Sequence, residues 1–257
     1  IAVAALMTGF LIDTNGWRSA FVLPGIISIG CGFAYILFIR ASRAARTAEI
    51  ESGAAAKKAV AGTMTIDRNL IIRTFAIIFT TTAIGGFILR STTFALPKIF
   101  DERLTDIANS ATLIGTYSFL VFALAAFAQL VVGYLVDRYS IRIIFASLAA
   151  LQAVFFLVMV NLTGLPALLV SFGFMLMVFG QIPINDVLVG RITRSEWRSR
   201  AYALRYIITF TVAATAVPLI AWVHAEWSFD ILFTVMAIGA TGTFATVLFL
   251  PRAIAKS

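Results

Sequence analysis

The sequence predicts an all-α, polytopic membrane protein, and three observations predict it. Hydrophobic residues make up 61% of the 257 and charged residues only 12%, about half the charged share with which a soluble domain covers its surface. Mean hydropathy is +0.98. The charges also fall between long apolar runs, each close to the ~20 residues that cross a hydrocarbon core as a helix. Length alone would suggest one or two soluble domains, but a lipid-facing surface accounts for composition and runs together.

Taken in order, Ile1–Leu11 reads as the last half of an apolar span, with no basic segment before it of the kind a signal peptide carries. The chain therefore reads as beginning inside a helix. Full spans are expected at about Ala20–Ile39, Thr74–Leu96, Thr112–Val136, Ile141–Val160, Pro166–Val189, Tyr202–Val223 and Ser228–Leu250. Most connections are short. The exception is the Ala-rich segment Arg40–Arg73, which carries Arg40, Arg43, Arg46, Lys57 and Lys58 and reads as an inter-domain linker. Gly9–Phe21 and Pro218–Phe233 share the order apolar helix end, polar turn, Trp and new helix start, with Trp17 answering Trp227. Weak internal symmetry of this kind is expected where two halves of a membrane protein share a fold.

Basic residues give the orientation. With the linker on the cytoplasmic side, alternation places fifteen Lys and Arg there, among them Arg138, Arg142, Arg191, Arg194, Arg198 and Arg252. The opposite side receives only Arg18, Lys98 and Arg103, and Arg90 and Arg205 fall within apolar spans. The C-terminus is thereby expected in the cytoplasm. The formal net charge of +8 follows this one-sided pattern rather than forming a basic patch interleaved with aromatics, so no nucleic-acid partner is expected. Cys31, the single cysteine, lies in an apolar span and reads as a small packing residue.

Gly133-Tyr-Leu-Val-Asp137-Arg138-Tyr-Ser-Ile-Arg142 closes one span and opens the next on the cytoplasmic side. It resembles the loop signature of the major facilitator superfamily, Gly-x-Leu-x-Asp-Arg-x-Gly-Arg-Arg, with Ser140 and Ile141 where Gly and Arg are usual. Gly16-Trp17-Arg18-Ser19-Ala20-Phe21 is similar to the opening of that family's sixth helix. The resemblance implies a major facilitator type helical bundle truncated at its N-terminus, running from the end of helix five through helix twelve. Residues 1–39 would then be the remnant of the N-terminal half, 40–73 the cytoplasmic linker and 74–257 the C-terminal six-helix half. It also implies that the loop latches the cytoplasmic side when the transporter opens outward.

Physical chemistry gives each loop residue a part. Gly133 removes a side chain where two helices would approach closely. Asp137 suits the positive N-terminal end of a neighbouring helix, and Arg138 and Arg142 lie at the level of anionic lipid headgroups. Ser140 and Ile141 depart from the signature where the latch would gain a further charge.

An ionisable side chain inside a span costs about +2.5 to +3.5 kcal/mol on insertion scales, so it needs a partner or a purpose. Arg90 follows Gly85-Gly86 in the middle of its span, with no acidic residue in that span. Its guanidinium suits two-pronged recognition of a carboxylate or phosphate. Leu89-Arg90, followed by Pro97, also resembles the seventh helix of the organophosphate:phosphate antiporters in the same superfamily, at a spacing one residue shorter. Asp186 is expected to pair with Arg205 or Arg191, as a gating or structural ion pair near the cytoplasmic interface. Gln181, Asn185 and Tyr117, together with Gln129, Gln152 and Tyr206, are the polar residues available to line a cavity or to bond between helices. His224 beside Glu226 reads as a solvated loop residue. Asn161-Leu-Thr163 matches a glycosylation acceptor within a very short external turn.

Among function classes, enzymes fit poorly. One histidine and one cysteine are too few for a His-based metal site, and neither His-Glu-x-x-His, Gly-x-Ser-x-Gly nor a phosphate-binding Gly-x-x-x-x-Gly-Lys-[Ser/Thr] loop occurs. No filter-like segment argues for a channel. The expectation is a secondary active transporter without cofactor or metal, moving a small solute, an organic anion by the evidence of Arg90, through alternating access. Its partners would be that solute, the lipid bilayer and a coupling ion, proton or sodium, and the protein would be a monomer in the cell (inner) membrane. A non-transporting sensor or scaffold with the same fold is the alternative, with an intramembrane enzyme behind it.

Overall fold

The computed structural model describes residues 2–46, 68–192 and 198–250, and among these the secondary structure is helical throughout. The helices are α1 (Ala2–Asn15), α2 (Ser19–Arg46), α3 (Arg68–Arg103), α4 (Ala111–Arg138), α5 (Ile141–Met159), α6 (Gly164–Ile192), α7 (Arg198–Glu226) and α8 (Phe229–Leu248). Seven of them, α2 to α8, are long and apolar enough to cross a bilayer, and α1 is a shorter apolar helix. The chain is thus an all-α, multi-pass membrane protein with the expected spans. Helices reach into the expected linker from both ends; Lys57 and Lys58, with the rest of 47–67, lie outside the described residues.

The packing makes one bundle from α3 to α8, with α5 against α8, α4 against α6, and α3 between α6, α7 and α8. One large apolar cluster, centred on Phe156, Phe174 and Phe233, whose rings lie 5.3 to 6.2 Å apart, fills the half toward the α3–α4 and α5–α6 connections, the outer half in the orientation expected from the basic residues. A smaller cluster of Ile77, Ile78, Val136, Phe145, Leu188 and Val247 closes the inner end. By contrast, α2 buries only Ala20 among its described side chains; Phe21, Phe33, Leu37 and Phe38 all point outward, as suits a helix whose surroundings are lipid or further helices. α1 packs on α4.

One boundary differs from expectation. The third helix was expected to stop at Leu96, yet it continues through Pro97 to Arg103. Pro97 removes one helical hydrogen bond, but Ile99 and Phe100 beyond it are wholly buried. Packing of these two residues holds the last turns, and proline within membrane helices is commonly tolerated on such terms.

The short turn between α5 and α6 explains its own sequence. Asn161 adopts φ 59°, a left-handed conformation that asparagine tolerates better than most residues. Its backbone N–H donates to Asp230 Oδ1 at 2.7 Å. The asparagine of the apparent glycosylation acceptor is therefore accounted for by turn geometry.

Candidate functional site

Arg90 lies in the middle of α3, half-buried. It makes no hydrogen bond or ion pair among the described residues, and its Nε is wholly buried without a partner. One turn away, a Cβ on Gly86 would meet only Val212 of α7, at 4.0 Å. Thr82, Gly86, Arg90 and Thr93 follow one another at helical spacing and so share a face of α3. The hydroxyls of Thr82 and Thr93 are also buried and unpartnered. Most other membrane threonines turn back onto the preceding turn, as Thr92 does onto the Ile88 and Leu89 carbonyls at 2.8 and 3.2 Å. This face therefore presents hydrogen-bond donors that no group among the described residues accepts, around the Arg90 guanidinium.

On the neighbouring face, Gly85 leaves Gln181 Oε1 3.9 Å from where a Cβ would stand. The Gln181 amide Nε2 donates to Gln152 Oε1 at 2.5 Å, joining α6 to α5. Asn185 Nδ2 donates to the Gln181 carbonyl at 3.1 Å, while its Oδ1 is buried and unpartnered. Gln181 and Asn185 thus form one polar seam with Gln152 beside α3. Tyr117 stands apart from it: its hydroxyl donates to the Ile107 carbonyl at 3.3 Å, in the outer connection between α3 and α4.

Near the inner end, Arg205 pairs with Asp186, and Tyr202 donates to the Asp186 carbonyl at 3.1 Å. The expected pairing across α6 and α7 is formed. At the junction of α4 and α5, the structure places the residues of the loop signature. Gly133 has no neighbour within 4 Å of a Cβ position, so no close helix approach requires glycine there among the described residues. Arg142 is not directed only at headgroups; its Nη2 donates to the Leu248 carbonyl at 2.5 Å, one of the free acceptors at the end of α8. Asp137 is exposed and has no hydrogen-bond or ion-pair partner among the described residues. Arg138 lies over the Tyr134 ring at 4.4 Å.

The outer end holds what the sequence did not reveal. Arg103 was placed among the external loop residues, but it is buried. It donates to Asp230 Oδ1 at 2.6 Å, to the Met159 carbonyl at 2.5 Å and to the Leu162 carbonyl at 3.1 Å, with Phe233 beneath it at 5.2 Å. This ties α3, the α5–α6 turn and α8 together. His224 is likewise not a free loop residue. Its Nε2 lies 3.0 Å from Glu102 Oε1 and its ring stacks on Phe229 at 4.2 Å. Asp13, at the end of α1, accepts from the backbone N–H groups of Ala111 and Thr112 at 3.2 and 2.6 Å. The available signal for these contacts was one of depth, since each joins charged or polar groups at the same outer level of the membrane.

No curated protein matches the sequence. The family model described as Major Facilitator Superfamily matches residues 82–257, which covers most of α3 and all of α4 to α8. Of the seven apolar spans among the described residues, five lie wholly within the match and a sixth lies mostly within it. The chain belongs to the major facilitator superfamily of membrane transporters.

Proposed function

We propose that the chain is the C-terminal portion of a secondary active transporter that moves a small organic anion by alternating access. In this reading α1 is the end of helix five, α2 is helix six, and α3 to α8 are helices seven to twelve. Arg90 carries the anion assignment. A half-buried guanidinium in mid-span, with a buried and unpartnered Nε, leaves a positive charge for a ligand to neutralise. The unsatisfied Thr93 hydroxyl one turn on, with Gln181 and Asn185 on the neighbouring face, supplies further hydrogen bonding. Movement would come from the two halves rocking about this midplane region, driven by a proton or sodium gradient.

The Asp186–Arg205 pair and the loop of Gly133, Asp137, Arg138 and Arg142 serve, in this reading, as gating contacts at the cytoplasmic end. The orientation follows the basic residues, with the C-terminus in the cytoplasm and the protein a monomer in the inner membrane.

The test is substitution at Arg90 in the full-length reading frame, with uptake of radiolabelled carboxylates and phosphate esters into proteoliposomes. Arg90→Ala and Arg90→Lys should both lower apparent affinity steeply with insertion unchanged, because an ammonium does not reproduce the planar, two-pronged contact. Normal transport by Arg90→Ala, or a loss of abundance in place of affinity, would make Arg90 structural and remove the anion assignment.

A further inference from the structure

One face of α1 carries Ala5, Gly9 and Asp13 at intervals of four, and this face lies flush on the start of α4. A Cβ on Gly9 would run into the Ala111 carbonyl oxygen, and one on Gly115 would stand 2.6 Å from the Ala5 carbonyl oxygen. Glycine is required at both positions for the two backbones to come this close. One turn outward, the Asp13 carboxylate spans two adjacent backbone N–H groups, with Oδ1 accepting from Ala111 and Oδ2 from Thr112. These are among the N–H groups that a helix start leaves without internal partners. The carboxylate also meets the positive end of the helix.

We propose that this contact is the outer gate between the two halves of the transporter. Asp13, above the Gly9–Gly115 crossing, holds the external side shut and lets go when that side opens. The inference rests on the reading above that α1 and α4 belong to opposite halves.

Three features suit the contact to release rather than to permanent support. First, α4 has its own cap, because Ser110 Oγ accepts from the Leu113 N–H at 3.2 Å. The helix start therefore survives when Asp13 leaves. Second, Asp13 is exposed, so water replaces protein on both the carboxylate and the N–H groups as they part. Third, the residues that meet at the crossing itself, Ala5, Gly9, Ala111 and Gly115, are all small, so parting there withdraws no large side chain. A hydrogen-bonded carboxylate supplies direction and a flush backbone contact supplies fit, and neither blocks separation.

The experiment places spin labels at Asn15 and Asn109, both exposed, in the full-length reading frame with Cys31→Ser. Dipolar spectroscopy in phosphatidylethanolamine–phosphatidylglycerol proteoliposomes then reads the short and long distance populations. Asp13→Ala should raise the long-to-short ratio about tenfold, the effect of about one charge-assisted hydrogen bond, since water replaces part of the two that this exposed carboxylate accepts. Asp13→Asn, which keeps an acceptor oxygen, should shift it less. Gly9→Ala should favour the long distance even with Asp13 present. Two populations whose ratio ignores Asp13→Ala would overturn the gate while leaving alternating access intact. A single distance in every variant, Gly9→Ala included, would overturn alternating access itself. An Asp13→Ala chain that fails to insert would make Asp13 a structural staple and also end the proposal.

Discussion

Replacing Arg103 by leucine removes the most connected polar group of the outer end. Its guanidinium bonds Asp230 and the Met159 and Leu162 carbonyls, and its side chain is 9% exposed against 31% for Asp230. Removing one member of a buried pair costs about 3–5 kcal/mol, because the other charge is stranded. Water reaches Asp230 in part, and the Asn161 N–H still bonds it, so the expected cost falls to about 2–4 kcal/mol. By the scaling for chains of this size, that lowers the melting temperature by about 4–16 °C. The assay is thermal unfolding in detergent, followed by fluorescence-detected size exclusion. Lys98→Leu serves as control, since its bridges to Asp101 and Glu102 are more than half exposed at the lysine and exposed pairs contribute about 0–1 kcal/mol. Asp230→Ala alone should also destabilise, and the Arg103→Leu/Asp230→Ala double variant should lose about 1–3 kcal/mol less than the sum of the two single losses. An Arg103→Leu protein melting within about 2 °C of the parent would refute the reasoning, and additive losses would refute the pairing.

Two further outcomes are expected. In a Cys31→Ser background, a cysteine at Tyr139 should react with membrane-impermeant maleimide only from the cytoplasm and one at Asn109 only from outside; same-side labelling would contradict the orientation drawn from the basic residues. In the full-length reading frame, Asp137→Asn should slow transport by several-fold with membrane abundance unchanged, because losing a charge that favours one conformation alters cycling more than folding; unaltered flux at every substrate concentration would count against the latch.

The spans were legible because a bilayer imposes a length and an apolar composition on every helix that crosses it. The expected starts of the helices at Ile141 and Ser228 fall within one residue of those observed. The apolar run marked the end of the third helix too early. In a soluble chain Pro97 would end a helix, whereas here Ile99 and Phe100 pack on as a continuation of α3. The outer network was illegible for a different reason. Arg103 and Asp230 are 127 residues apart, and Asp13 is 98 and 99 residues from its two partners. Hydropathy and alternation place such residues at one depth but say nothing of which helices are neighbours.

The same limit divides the candidate site into the part that could be read and the part that could not. Arg90 needed only its own helix: the span has no acid to pair with it, and none is found opposite it among the described residues. Asp186 and Arg205 were readable as a pair because they flank one short connection, so adjacency in sequence implied adjacency in space. Tyr117 had no such aid. It sits less than two turns from the start of α4 at Ala111, where a tyrosine is long enough to reach either the bundle interior or the preceding loop, and only the packing decides between them. Its hydroxyl goes to Ile107. Depth along the membrane normal is therefore encoded locally, whereas direction around each helix is set by neighbours far away in the chain. Polar residues whose role depends on direction are the ones for which sequence reading ran out.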